Sequence, residues 1–166
     1  MTSVITYQPD KCFSIDQIKL VWETERKQTR SLLNSFYEID DKVIDVSEKY
    51  EGDKSNIIIQ RRDIYKNYNG GTNLFFLNFD AADKLQELEI HYGLEINIQS
   101  IVINFTQTIE EVVQCLKLIS IHIVKMSEGE YFFPELKLAV ASSHALGGEG
   151  KDLAYFYCCK NQNHLL

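Results

Sequence analysis

The sequence predicts an α+β fold, mainly antiparallel sheet with two principal helices. Three observations carry that prediction. Apolar residues alternate with polar ones in short runs, the period of half-buried strands. Asn-Gly, Asp-rich and Gly-rich stretches separate the runs as turns do. Thr108-Ile109-Glu110-Glu111 matches a capping box, in which the Thr108 hydroxyl accepts the Glu111 N–H and the Glu111 carboxylate accepts the Thr108 N–H. At 166 residues and 45% hydrophobic, the chain can bury roughly 70% of its unfolded surface as one compact domain, residues 1–166, without a metal or disulfide staple.

Taken in order, Val4 to Tyr7 reads as a strand. Residues 14–36 admit two readings: one long helix through Ile15, Ile18, Trp22, Leu32, Leu33 and Phe36, or a strand through Ile18, Leu20 and Trp22 followed by a helix over residues 24–36. An internal comparison favours the second. Ile15-x-x-Ile18-x-Leu20-x-Trp22 with Leu32-Leu33 aligns without gaps on Ile98-x-x-Ile101-x-Ile103-x-Phe105 with Cys115-Leu116. Two degenerate strand–helix–hairpin repeats are expected, over residues 13–93 and 96–160.

Residues 38–53 carry seven carboxylates against two lysines, with a short strand expected from Val43 to Val46. The plain reading is a solvated connection; the functional one is an acidic docking surface. Ile57-Ile58-Ile59 opens a strand, and the following Arg61-Arg62 is read as a charge-protected sheet edge. Asn69-Gly70 marks a turn. Leu74 to Phe79 and the return strand ending at Tyr92 form a hairpin around Asp80 and Asp83. Ile96-Ile98 and Ile101-Ile103-Phe105 alternate in two phases with a bend at Gln99-Ser100. After the helix over residues 108–118, Ile119, Ile121 and Ile123 alternate as a strand. A further strand is expected over residues 131–142, a loop over residues 147–152, and an interior strand from Leu153 to Cys159.

Charge and motifs narrow the function. A net charge of −7 argues against a nucleic-acid binder and against anchoring on an anionic membrane. No apolar run reaches the ~20 residues of a membrane helix, and residues 1–7 lack signal-peptide features, so a cytoplasmic protein is expected. Cys12, Cys115, Cys158 and Cys159 have no ligand spacing and are read as reduced thiols. Residues 145–152 fail as a phosphate loop: Ala145 stands at the first glycine and Asp152 replaces the magnesium-binding hydroxyl. His91, His122, His144 and His164 show no metal-ligand spacing. Glu89 and His91 share a strand face and form the one acid–base pair worth naming, although a half-exposed strand pair is the commoner arrangement. No cofactor, metal or catalytic centre is expected.

The stretch Asn73-Leu-Phe-Phe-Leu-Asn-Phe79 with Asp80 and Asp83, Leu88-Glu-Ile90, Ile98-Gln-Ser-Ile101 and Tyr131-Phe-Phe-Pro-Glu-Leu136 resembles the small bacterial immunity proteins of polymorphic-toxin and contact-dependent growth inhibition systems. The resemblance implies a cytoplasmic inhibitor, monomeric in a 1:1 complex, that neutralises a cognate toxin domain, commonly a nuclease. A nuclease carries positive charge where it holds nucleic acid, so an acidic inhibitor gains steering and orientation. Asp40, Asp41, Asp45, Glu48 and Glu51, with Tyr50 as an aromatic anchor, are the candidate partner-binding residues. Tyr37, Tyr65 and Tyr68 lie near them in sequence. The competing class is a non-catalytic structural, regulatory or small-ligand-binding domain.

Overall fold

The computed structural model describes residues 1–46 and 57–165. Among the described residues, two sheets and two α-helices build the fold. The smaller sheet has the order β10-β9-β1-β2-β3, from Val4–Gln8 (β1), Cys12–Ile15 (β2), Ile18–Val21 (β3), Glu95–Ile98 (β9) and Ile101–Ile103 (β10). All its neighbours are antiparallel except β1 and β9, which run parallel. The larger sheet has the order β11-β12-β13-β14-β8-β7-β6-β4, with β5 also on β6. Its strands are Glu38–Ile39 (β4), Lys42–Asp45 (β5), Ile57–Lys66 (β6), Leu74–Phe79 (β7), Leu85–Tyr92 (β8), Val124–Ser127 (β11), Glu130–Phe133 (β12), Leu138–Ser142 (β13) and Leu153–Cys159 (β14). Every pair in it is antiparallel.

The sheets meet across a shared apolar core. Ile5, Phe13, Ile15, Ile96, Ile98 and Ile103 from the small sheet are fully buried, as are Phe75, Leu77, Leu88, Ile90, Leu138, Val140 and Phe156 from the large one. The alternation that marked these strands is the alternation of core-facing side chains. Tyr7 spans the gap: its ring lies edge-on to Phe156, and its hydroxyl donates to the Leu136 carbonyl at 2.7 Å.

The helices are Arg26–Leu33 (α1) and Ile109–Leu116 (α2). The capping box at Thr108 forms as expected, and Ile109, Val112, Val113 and Leu116 are buried. Helix α1 is shorter than expected because Asn34 adopts the left-handed conformation that ends helices. The long-helix reading of residues 14–36 fails at Asp16, where positive φ opens a two-residue turn between β2 and β3.

The two halves correspond at a constant offset. Cys12–Ile15 matches Glu95–Ile98, and Arg26–Leu33 matches Ile109–Leu116, each 83 positions on. Asp16 and Gln99 are equivalent by that offset, and both have φ of 54° at the hairpin turn. Each helix N-cap makes one bridge to the residue before the last strand of its own half, Glu25 to Lys84 and Thr108 to Asp152. The unit is a hairpin, a helix and then a meander, rather than strand–helix–hairpin. The two meanders join at the β8–β14 pair, where Phe156 faces Ile90 and Cys158 faces Leu88.

Three other expectations are corrected. Residues 119–123 form no strand: Ile121 is 87% exposed, and the segment is held as a loop by Glu135. Residues 131–142 are two strands, because Pro134 removes a ladder donor and a 3₁₀ turn over Pro134–Leu136 intervenes. Strand β6 is not an edge at Arg61-Arg62; it lies between β4 and β7.

Candidate interaction site

The site is built at one end of the large sheet, where α1, β4, β5 and β6 meet. Helix α2 docks through Ile109, Val112, Val113 and Leu116. At the same positions α1 carries Arg26, Thr29, Arg30 and Leu33, so half of its inward face is cationic. Asp63 on β6, with no exposed surface, answers that charge. Arg26 donates to Asp63 Oδ1 from Nε at 3.0 Å and from Nη2 at 2.6 Å. Arg30 donates to Asp63 through Nε and Nη2, both at 2.8 Å. A buried carboxylate is tolerated only when paired and hydrogen-bonded in this way. The guanidinium of Arg26 also lies over Phe79, and that of Arg30 over Tyr37.

Arg26 extends the network to the acidic segment. Its Nη1 and Nη2 reach Asp41 Oδ2 and Oδ1 at 3.0 and 2.8 Å, and Asp41 Oδ1 also accepts the Arg62 N–H. The Arg26 guanidinium beside Asp41 holds its carboxyl below the usual range. Asp41 therefore fills the break between β4 and β5 and pins the outer strand to the core. Asp40 pairs with Lys42 at 2.8 Å, and its Oδ2 accepts from Gln60 at 3.1 Å. Arg61 clamps Asp83 with two bonds of 2.6 and 2.7 Å.

Beyond this anchor, β5 and the start of β6 form a two-stranded ribbon whose two faces are open. Val43 faces Ile59, and Ile44 faces Ile58. Opposed residues share a face, so Val43, Ile59 and Ile57 lie on one side while Ile44 and Ile58 lie on the other. Val43 is 71% exposed, Ile58 55% and Ile59 52%. Ile39 on β4 is exposed too. Among the described residues, β4 and β5 pair only with β6, so their outer edge is open.

On the opposite face from Asp63, Arg62 donates to Glu89 at 2.8 Å and to Asn78 at 2.8 Å, and Asn78 donates to both Glu87 and Glu89. The expected Glu89–His91 pair is present, with His91 Nε2 3.7 Å from the carboxylate. Burial pushes the Glu89 carboxyl up, but the neighbouring His91, the hydrogen bond from Asn78 and the Arg62 charge more than offset it, leaving it below its ordinary value. A carboxylate committed in this way is a weak base, so the cluster braces β6, β7 and β8. Burial likewise pushes the Cys159 thiol up to about 11, away from nucleophilic range. In the loop over residues 143–152, the amides of His144 and Gly148 are taken by the carbonyls of Gly150 and Ser143.

Of the predicted site residues, Asp40, Asp41 and Asp45 fall at the base and along the outer strand of the ribbon, while Glu48, Tyr50 and Glu51 lie outside the described residues. Tyr65 and Tyr68 are core residues, at most 1% exposed, and present no surface; Tyr37 is half-buried over Arg30. Sequence reasoning missed the exposed aliphatics. The signal was Ile57-Ile58-Ile59, three successive apolar residues in a strand, which places apolar groups on both faces. Comparisons of the chain with family models, curated proteins and solved structures return no match.

Proposed function

We propose that this chain is a binding protein of the immunity type, which neutralises a basic toxin domain, in first place a nuclease, by docking on it through the β4–β5–β6 edge. The observation that carries the reading is the ribbon: Val43, Ile44, Ile57, Ile58 and Ile59 exposed on both faces of an open sheet end. Contiguous exposed apolar surface of this kind marks interaction sites. The chain's charge of −7 supports a basic partner by steering and by excluding acidic ones. Inhibition would act by occlusion of the partner's nucleic-acid groove, in the compartment where the toxin arrives, expected to be the cytoplasm.

The engagement of Asp41 decides how this is tested. Reversing Asp41 would leave Arg26 under-paired and disturb the fold, so the aliphatic residues are the cleaner targets. The double variant V43D/I59D is expected to keep the wild-type circular dichroism. It is expected to lose the partner that wild type co-purifies from the native host, once that partner is identified and shown to be toxic without protection. A double variant that protects cells as wild type does would place the interface elsewhere.

A further inference from the structure

We infer a second site, independent of the ribbon: a groove in the second half of the chain that binds a small organic carboxylate with an apolar body. The groove lies between α2 and the β11–β12 hairpin. It consists of two adjoining cavities, of about 280 and 450 Å³, that share Glu110, Lys125 and Tyr131 in their walls. Cavities of that size suit small ligands. The correspondence of the two halves explains why it is there. Arg26 and Arg30 are the first and fifth residues of α1, and Ile109 and Val113 are the first and fifth of α2. Asp63 faces Leu77, which faces Leu88, the fourth residue of β8. Tyr131 faces Val140, which faces Phe156, the fourth residue of β14. Phe79 faces Leu85 and Ser142 faces Leu153, the first residues of those two strands. Ile109, Val113, Tyr131 and Ser142 all line the groove. It therefore occupies the place that the first half fills with Arg26, Arg30, Asp63 and Phe79.

Charge selects the ligand. In the first half two arginines enclose a carboxylate that the chain itself supplies. In the second half Tyr131 stands at the carboxylate's position, and the cations stand on the walls. Lys117 ends α2, and Lys125 on β11 faces Tyr131 on β12. Both line the narrower cavity, and among the described residues neither has an ion pair. Glu110, the acid in that cavity, lies 3.9 Å from Lys151, and Glu128 lines only the wider cavity. One cation from a helix and one from a strand thus face the same space without a counter-charge. Val113, Ile123 and the Tyr131 ring beside them offer apolar surface that a bare inorganic anion would leave unused. A carboxylate on an aliphatic or aromatic body uses both, the head between the lysines and the body on the apolar wall.

The probe is 4-phenylbutyrate, titrated against the full chain by calorimetry and followed by amide chemical shifts. Two controls accompany it: 4-phenylbutyramide, which lacks the charge, and acetate, which lacks the body. 4-Phenylbutyrate is expected to bind saturably and to move the amides of Val113, Lys117, Ile123, Lys125 and Tyr131. Each control is expected to bind at least about fivefold more weakly. The double variant Lys117→Gln/Lys125→Gln is expected to lose a similar factor at unchanged circular dichroism. Lys11→Gln/Lys27→Gln, which removes two exposed lysines elsewhere, is expected to bind as wild type does. Equal binding of 4-phenylbutyrate and its amide would overturn the carboxylate as the recognised group. Equal binding by the two double variants would overturn the lysine pair as its seat. Shifts confined to other residues, or no saturable binding of 4-phenylbutyrate, would overturn the site.

Discussion

Glu135 holds the segment after α2 with a single carboxylate. Its Oε2 accepts from the Ser120 hydroxyl and from the amides of Ile121 and His122, and its Oε1 meets His122 Nδ1 at 2.6 Å. The Ser120 hydroxyl and these amides hold its carboxyl down to about 2. A folded-state value below the unfolded value of roughly 4.3 means that the stabilisation is present above that value and is lost as pH falls toward 2. The Glu135→Gln variant is therefore expected to be less stable than wild type at pH 7, and the gap should narrow as pH drops from about 5 to 2. Denaturant midpoints across that range check it; a gap independent of pH would mean that the ionised carboxylate contributes nothing specific. Little of this scale was legible beforehand. Glu135 is 15 positions from Ser120, and Arg26 is 37 from Asp63. No local pattern announces such pairs, so Asp41 read as solvent-facing charge when its carboxylate is bound by an arginine from α1.

Elements defined by their own neighbours in sequence were legible. The capping box at Thr108 and the hairpin around Asp80 formed from short-range chemistry, with Asp80 Oδ1 accepting the amides of Ala82 and Lys84. Residues 119–123 misled because strand periodicity needs a neighbouring strand, and that neighbour is a tertiary fact; Pro134 divided another run for a local reason that was visible. The two helices also differ in a way that can be exploited. Thr108 caps α2, whereas Glu25, the equivalent N-cap of α1, makes no side-chain cap and instead reaches Lys84 at 2.9 Å on the surface. Exposed ion pairs contribute little, while a Ser–x–x–Gln start satisfies two amides. Glu25→Ser, which creates that pattern with Gln28, is expected to stabilise the protein by about 0.5–1 kcal/mol. An upward shift in urea midpoint at unchanged m-value would show it; no shift would mean that water already serves those amides as well as the cap would.

At the scale of the molecule, the two halves share one core. The β8–β14 pair joins the meanders, and β1 of the first half lies between β2 and β9 in the small sheet. The ungapped alignment of Ile15–Trp22 on Ile98–Phe105 found the matching turns and helices, but neither the joining of the meanders nor the parallel β1–β9 pair was visible, because both depend on partners distant in sequence. One cooperative unit is the expectation. The fluorescence of Trp22, packed on Phe13 in the first half, and the far-ultraviolet dichroism of the whole chain should report the same unfolding midpoint. A dichroism change continuing after the fluorescence transition is complete would show that the second half unfolds by itself. The place of β1 also has a consequence for synthesis. Val4–Gln8 can pair with β2 as soon as the first hairpin emerges, but Glu95–Ile98 leaves the ribosome roughly 5 to 15 seconds later at ordinary elongation rates. Until then the other side of β1 has no neighbour. A strand that finishes enclosed on both sides spends those seconds as an adhesive rim on a nascent chain, and the parallel pair is the step that retires it.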